Sequence, residues 1–281
     1  MQNQLGQKRS GICETTKYLY EHYSSNPHEL ISSDSEQGPN LHFLSDTNLL
    51  EKNLRNLYIS NYKLLDENDF NINIGSDHSL AIGSVASTLN IYKSNIKVIW
   101  IDAHADINTK NSSPSNNVHG MPLSFLTGLD TSDNYDYIKN TLGFENLCYI
   151  GIRDLDPFEI DTIKKHNIKT ISSDEFNSNI NGVLKDIIEW VGTIPVHLSL
   201  DVDGLDPSII QFTGTRCDNG LQLEQTIKFL QILCKCTNIV NVDITELNLY
   251  NPDCKNIYGE EERTKSFKNF DALLKAILFN L

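Results

Sequence analysis

The run Val98-Ile-Trp-Ile101 breaks directly into Asp102, His104 and Asp106, and this step restricts the fold more than any other feature of the chain. An unbroken run of β-branched and aromatic residues is buried on both faces, as inside a parallel sheet. At the carboxyl end of such a strand the chain leaves the sheet, and acid and imidazole groups at alternate positions converge on a crevice. Three such groups so close together repel one another, or stay unsatisfied when buried, unless a cation joins them. A metal site is therefore the natural reading, with a polar loop and a capping Asp as the alternative.

The rest of the chain alternates strand and helix signals. Strand patterns fall at Leu41–Leu44, Phe70–Ile74, Lys97–Asp102, Leu147–Ile152, Ile168–Ile171, Pro195–Asp201 and Asn238–Ile244. Helical spacing marks residues 11–23, Asp46–Leu65, 79–92, 155–166, 173–190, 221–235 and Thr264–Phe279. Repeated β-α-β spacing predicts an α/β fold, a mainly parallel sheet with helices on both faces. With no internal repeat, long linker or composition break, one domain over residues 1–281 is expected.

Charge and composition narrow the partners. With 37 acidic against 23 basic residues, a net charge of −14 argues against nucleic acid or an anionic membrane and suits a cationic small molecule. The first ten residues lack a signal-peptide core, and no window approaches about 18 apolar residues. Six cysteines show neither paired metal spacing nor small-domain disulfide density, so reduced thiols in the cytoplasm are expected.

Three more strand patterns end in ligand-type residues: Gly75-Ser-Asp-His-Ser79, Asp201-Val-Asp-Gly-Leu-Asp-Pro207 and Thr245-Glu-Leu-Asn248. In a parallel sheet all these loops open at one edge. His78, Asp102, His104, Asp106, Asp201 and Asp203 then make a mixed set of nitrogen and oxygen donors, suited to ions such as Mn²⁺ and sufficient for two of them. Taken singly, each has a plainer reading. Asp201 and Asp203 suit a turn before Gly204, Glu246 a surface or capping acid, and Asp156 an N-cap before Pro157.

Four stretches in order carry a family resemblance: Gly75–Ser84, Asp102-Ala-His-Ala-Asp-Ile-Asn-Thr109, His119-Gly-Met-Pro122 and Ser199–Pro207. They resemble the ureohydrolase motifs, and within that superfamily those of arginases. The resemblance implies two Mn²⁺ ions and hydrolysis of L-arginine to L-ornithine and urea by a metal-bridging hydroxide. It implies His78, Asp102, Asp106 and Asp201 around one ion, and Asp102, His104, Asp201 and Asp203 around the other. Asp106 would also move a proton to the leaving amine, Glu246 would hold the guanidinium, and His119 would shuttle protons to solvent. Asn108, Ser113 and Ser115 match groups that bind the substrate carboxylate, and Asp156 and Glu159 groups that meet its α-ammonium. Thr215 matches a hydroxyl near the guanidinium. A homo-oligomer, trimer or hexamer, is implied by the resemblance alone. Another amidinohydrolase such as agmatinase, or a catalytically silent metal- or arginine-binding relative, are the alternatives.

The sequence also departs from the arginase pattern. Only Met-Gln-Asn-Gln precedes the turn-like Leu5–Gly11, where arginases open with a buried strand, and four polar residues do not make one. A sheet of about seven to eight strands is expected, short of the family's first strand or irregular where it would lie. Ser76 and Asn116 each replace a Gly, and Gln211-Phe212 stands where Pro-Ala is usual. Asn116 and Gln211-Phe212 are expected to border the substrate pocket.

Overall fold

Among the described residues, seven strands form one all-parallel sheet in the order β1-β2-β7-β6-β3-β4-β5. They are β1 (Leu41–Phe43), β2 (Asn71–Ile74), β3 (Lys97–Ile101), β4 (Leu147–Ile150), β5 (Lys169–Ile171), β6 (Val196–Asp201) and β7 (Ile239–Thr245). The computed structural model describes residues 10–25, 41–43, 50–67, 70–75, 77–133 and 135–281. Seven strands fall within the seven to eight expected, and the order among the described residues is unbroken: β1 pairs β2 through Leu41↔Ile72 and Phe43↔Ile74, and every neighbour is hydrogen-bonded. The reading of Leu5–Gly11 as a turn, and the Ser76 substitution, lie largely or wholly outside the described residues.

The helices are α1 (Ile12–Ser25), α2 (Leu50–Glu67), α3 (Ala81–Tyr92), α4 (Pro122–Thr127), α5 (Pro157–His166), α6 (Ser173–Ser178), α7 (Ile180–Val191), α8 (Leu223–Cys236) and α9 (Pro252–Leu278). Alternation along β3 shows how they share the sheet. Ile99 and Ile101 join a core with α1, α7, α8 and α9 side chains, whereas Val98 and Trp100 face one built from α2, α3 and α4. Among the described residues, no helix is long and apolar enough to cross a membrane.

Two expectations on helices need correction. The last helix starts at Pro252, well before Thr264. Asn251 caps it by accepting the Asp253 N–H, Pro252 occupies its first turn, and a break at Gly259 (φ 70°, ψ −170°) separates its two parts. The pattern over 173–190 is two helices, because Asn179 leaves helical geometry and caps the second through the Gly182 N–H. Helical spacing does not mark α4, which Pro122 opens and left-handed Gly128 closes.

Strand register decides where the chemistry collects. Ile101 lies opposite Leu200, Asp201 opposite Thr245, and Ile74 opposite Ile244. The loops after β2, β3, β6 and β7 therefore emerge at one level. β2 and β3, consecutive in sequence, are separated in the sheet by β7 and β6, the kind of switch point at which open parallel sheets place their sites.

Below that edge, between the sheet and α2–α3, lies a polar layer. Asn73 donates to Asn61, Asn241 and Asp243, while Asp243 also accepts from Ser84 and pairs with His197 Nε2 at 3.0 Å. Thr88 meets His197 Nδ1 at 2.9 Å, and all seven side chains are fully buried. Asn73 of β2 thus faces an interior network rather than water, whereas Asn71, two residues earlier, is buried with neither side-chain polar atom hydrogen-bonded.

Candidate metal centre and substrate pocket

His78 stands on the turn after β2, with its ring stacked on Trp100 at a centroid distance of 4.0 Å. Its Nδ1 lies 2.9 Å from Asp102 Oδ2, 3.1 Å from Asp106 Oδ2 and 3.2 Å from Asp201 Oδ2. None of these contacts has hydrogen-bond geometry, so Nδ1 is a buried nitrogen without a hydrogen-bond partner. Nε2 is 2.8 Å from Ser199 Oγ; with Nε2–H as the donor, the Nδ1 lone pair faces the carboxylates.

His104 completes a second group. Its Nδ1 lies 3.3 Å from Asp102 Oδ1 and 3.4 Å from Asp203 Oδ2. Donor atoms of His78, Asp102 and Asp201 fall within 4.8 Å of one another, as do those of Asp102, His104 and Asp203. Asp102 belongs to both groups through different oxygens. Two imidazoles and four carboxylates converging in a buried space fit divalent cations of the hard-to-borderline kind.

Electrostatics make the same point. Burial, reinforced by the charge of Asp102, pushes the Asp106 carboxyl up to about 6. Burial and the charges of Asp203 and Asp102 raise Asp201 well above the usual carboxylate range. Burial opposes ionisation of Asp102 as well, but the imidazoles of His104 and His78 outweigh it and hold its pKa low. The imidazoles bear the converse shift: burial disfavours a charged His78 or His104, yet the surrounding carboxylates raise both.

Above the clusters opens a cavity of about 180 Å³. His104, Asp106, Asp201 and Asp203 reach its floor, and Asn108, Ser113, Ser115 and His119 line one side. Asp154, Asp156, Glu159 and Thr215 also line it. Ser113 Oγ accepts the Asn116 N–H and Ser115 Oγ the Asn117 N–H, which leaves both hydroxyl hydrogens free to be donated. Asn108 Nδ2 donates to Asp156 Oδ2 at 2.8 Å. Glu159 Oε2 accepts the Asp156 N–H at 3.0 Å and Oε1 the Ile107 N–H, tying the start of α5 to the metal loop. Burial is the main cause that raises Glu159 to about 7.

Of the residues singled out from sequence, His78, Asp102 and Glu246 lie outside the cavity lining. Glu246 is buried beside His119, 3.3 Å from its Nδ1. Gln211 and Phe212 do not border the cavity either, contrary to expectation. Phe212 is fully buried in the α9-side core, and Ser266 of α9 accepts both their backbone N–H groups. Asn116 is likewise not part of the lining; it adopts φ 56°, a left-handed conformation that Asn tolerates better than most residues.

Sequence reasoning overlooked Asp154, 3.7 Å from His104 Nε2, the ligand supports Trp100 and Ser199, and the part Thr215 plays in holding Asp203. Trp100 Nε1 donates to Asp102 Oδ2 at 3.0 Å, and Thr215 Oγ1 to Asp203 Oδ2 at 2.6 Å. Ser199 supports His78 through Nε2. Trp100 and Ser199 each precede a ligand by two residues on the same strand face, which was the available signal.

A parallel α/β sheet that gathers two imidazole–carboxylate clusters at its switch point defines the class of protein. Residues 14–256 match the Arginase family, and the chain belongs to that family. An arginase of Staphylococcus aureus (strain MRSA252) is 40% identical over 188 residues, 66% of this chain and 62% of its own length, so the match spans somewhat under two thirds of that relative. An arginase of Schizosaccharomyces pombe is 34% identical over 244 residues, 85% of this chain and 73% of its own. Among solved structures, Entamoeba histolytica arginase in complex with L-ornithine superimposes with a TM-score of 0.79 at 30% identity, covering 97% of this chain and 94% of that one.

Proposed function

We propose that the chain is a manganese-dependent arginase, a single catalytic unit that hydrolyses L-arginine to L-ornithine and urea. The observation that carries this reading is the sharing of Asp102 between two ligand clusters on the floor of a pocket lined by both neutral donors and acids. The L-ornithine held by the Entamoeba enzyme is the product this reading requires. A trimer or hexamer is the assembly expected from the family, and the free cysteines suit the cytoplasm.

His78, Asp102, Asp106 and Asp201 would hold one Mn²⁺, and Asp102, His104, Asp201 and Asp203 the other. When bound, such a pair supplies activated water as a nucleophile at neutral pH. The chain's own groups do the rest. Glu246 and Thr215 orient the guanidinium, while Asn108, Ser113 and Ser115 donate to the α-carboxylate and Asp156 and Glu159 meet the α-ammonium. Water oxygen bonds to the guanidinium carbon and the bond from that carbon to the side-chain nitrogen breaks. Asp106 takes a proton from the water and returns it to the departing amine. His119, at the pocket wall, exchanges protons with solvent.

Urea release from L-arginine with added Mn²⁺ tests the reading, with agmatine as the competing substrate. Faster turnover of agmatine would transfer the chain to another amidinohydrolase activity. Binding of metal and arginine without urea would make it a silent relative.

A further inference from the structure

Arg153 follows β4 and belongs to neither ligand cluster. Its Nε donates to Asp218 O at 3.0 Å, and Nη1 donates to Gly151 O at 2.9 Å and Gly204 O at 3.1 Å. Nη2 donates to Asp203 O at 2.9 Å, Leu205 O at 3.3 Å and Cys217 O at 2.8 Å. A guanidinium offers five N–H groups, so these six contacts use all of them and share one. The backbone N–H of Arg153 and that of Asp154 both donate to Ala103 O, at 2.8 and 3.1 Å. One residue therefore joins four segments: the loops after β3, β4 and β6, and residues 217–218.

These segments deliver one ligand cluster in particular. Ala103 lies between Asp102 and His104, and its N–H donates to Asp203 Oδ1 at 3.4 Å. Thr215, two residues before Cys217, holds Asp203 Oδ2. His78, on the other side of the site, is fixed by Ser199, Trp100 and Glu246, none of which Arg153 touches. Six carbonyl oxygens aimed at one point repel one another without a cation between them, so the loop arrangement depends on this guanidinium.

We propose that Arg153 is the positioning residue of the Asp102–His104–Asp203 cluster, a cationic pin that holds Asp203 and Thr215 where a second ion binds. The proposal rests on the two-cluster reading of the site. Lysine keeps the charge but has three N–H groups on a flexible stem, so Arg153→Lys loosens the pin without removing it, and Arg153→Met removes it.

The test titrates Mn²⁺ alone into the chelator-stripped full chain, read by calorimetry and electron paramagnetic resonance, with hydrogen exchange on the same samples. In both variants the first ion binds as in the parent and the second weakens about 10- to 100-fold, leaving the spectrum of isolated Mn²⁺. Exchange at the Asp206 and Leu221 amides rises about tenfold or more, while that at Thr226 in α8 is unchanged. Unchanged exchange overturns the proposal, as does equal weakening of both ions or an Arg153→Lys chain that does not fold. If the parent itself binds a single ion, the two-cluster reading fails, and the exchange result still decides whether Arg153 pins the loops.

Discussion

His119 Nδ1 lies 3.3 Å from Glu246 Oε1, and that same oxygen accepts the His78 backbone N–H at 3.0 Å. One buried carboxylate thus sets the imidazole at the pocket wall against the turn that delivers a candidate ligand. Glu246 holds φ 65°, a conformation costly for a residue with a side chain and found where function over-determines the backbone.

The pairing fixes a protonation state. Burial disfavours a charged His119, but the hydrogen bond and charge of Glu246, aided by Asp77 and Asp106, outweigh it and raise the imidazole to about 9. In Glu246→Gln, His119 titrates at a clearly lower pH, followed by NMR of its ring protons. An unchanged midpoint would remove Glu246 as the cause.

Stability of the chelated protein follows the same groups. Asp106 rises from 3.8 to about 6, so the folded chain holds more protons than the unfolded one in that window and stability falls as pH climbs through it. His119 contributes fully below about 6.5, and its contribution is lost as pH rises through about 9. Both shifts lower the thermal midpoint with EDTA between pH 4 and 9, roughly, and saturating Mn²⁺ reverses the trend because its ligands must be deprotonated. A midpoint that climbs with pH in EDTA would contradict both shifts.

Shared and unshared ligands separate by metal content. Asp102→Ala removes a donor from both clusters, whereas His104→Ala touches one. After dialysis against Mn²⁺, elemental analysis is expected to find the first variant depleted of both ions and the second retaining about one ion per chain. Equal loss in both variants would refute separate clusters.

Much of this site was legible because strand ends announce themselves: the apolar run stops at Ile101, and the ligands follow at alternate positions. Register was not legible, although it alone brings Ile74, Ile101, Leu200 and Ile244 to one level. Nor was the identity of the second layer, because Trp100 and Ser199 are ordinary strand residues until their donors and acceptors are located. Asn73 illustrates the limit. Alternation in β2 suggests a wet face, but helices cover both faces, and Asn73 is satisfied by Asn61, Asn241 and Asp243 instead of water. Asn73→Ala leaves Asn61 and Asn241 short of partners and is expected to cost about 2–3 kcal/mol in urea unfolding with unchanged Mn²⁺ content. A loss below about 0.5 kcal/mol would show that the network repairs itself.

The serine hydroxyls of the pocket offer a test that distinguishes recognition from chemistry. Ser113 and Ser115 each accept a backbone N–H and retain a hydrogen to donate. On the proposed reading that hydrogen goes to the α-carboxylate of arginine, a group absent from agmatine. A hydrogen bond to a charged group is worth about 1.5–3 kcal/mol, so Ser115→Ala is expected to raise KM for arginine about tenfold or more with kcat little changed. The residual rate on agmatine should not move. If agmatine and arginine weaken together, Ser115 shapes the loop rather than reading the substrate, and the basis for arginine selectivity must lie with Asn108 and Ser113.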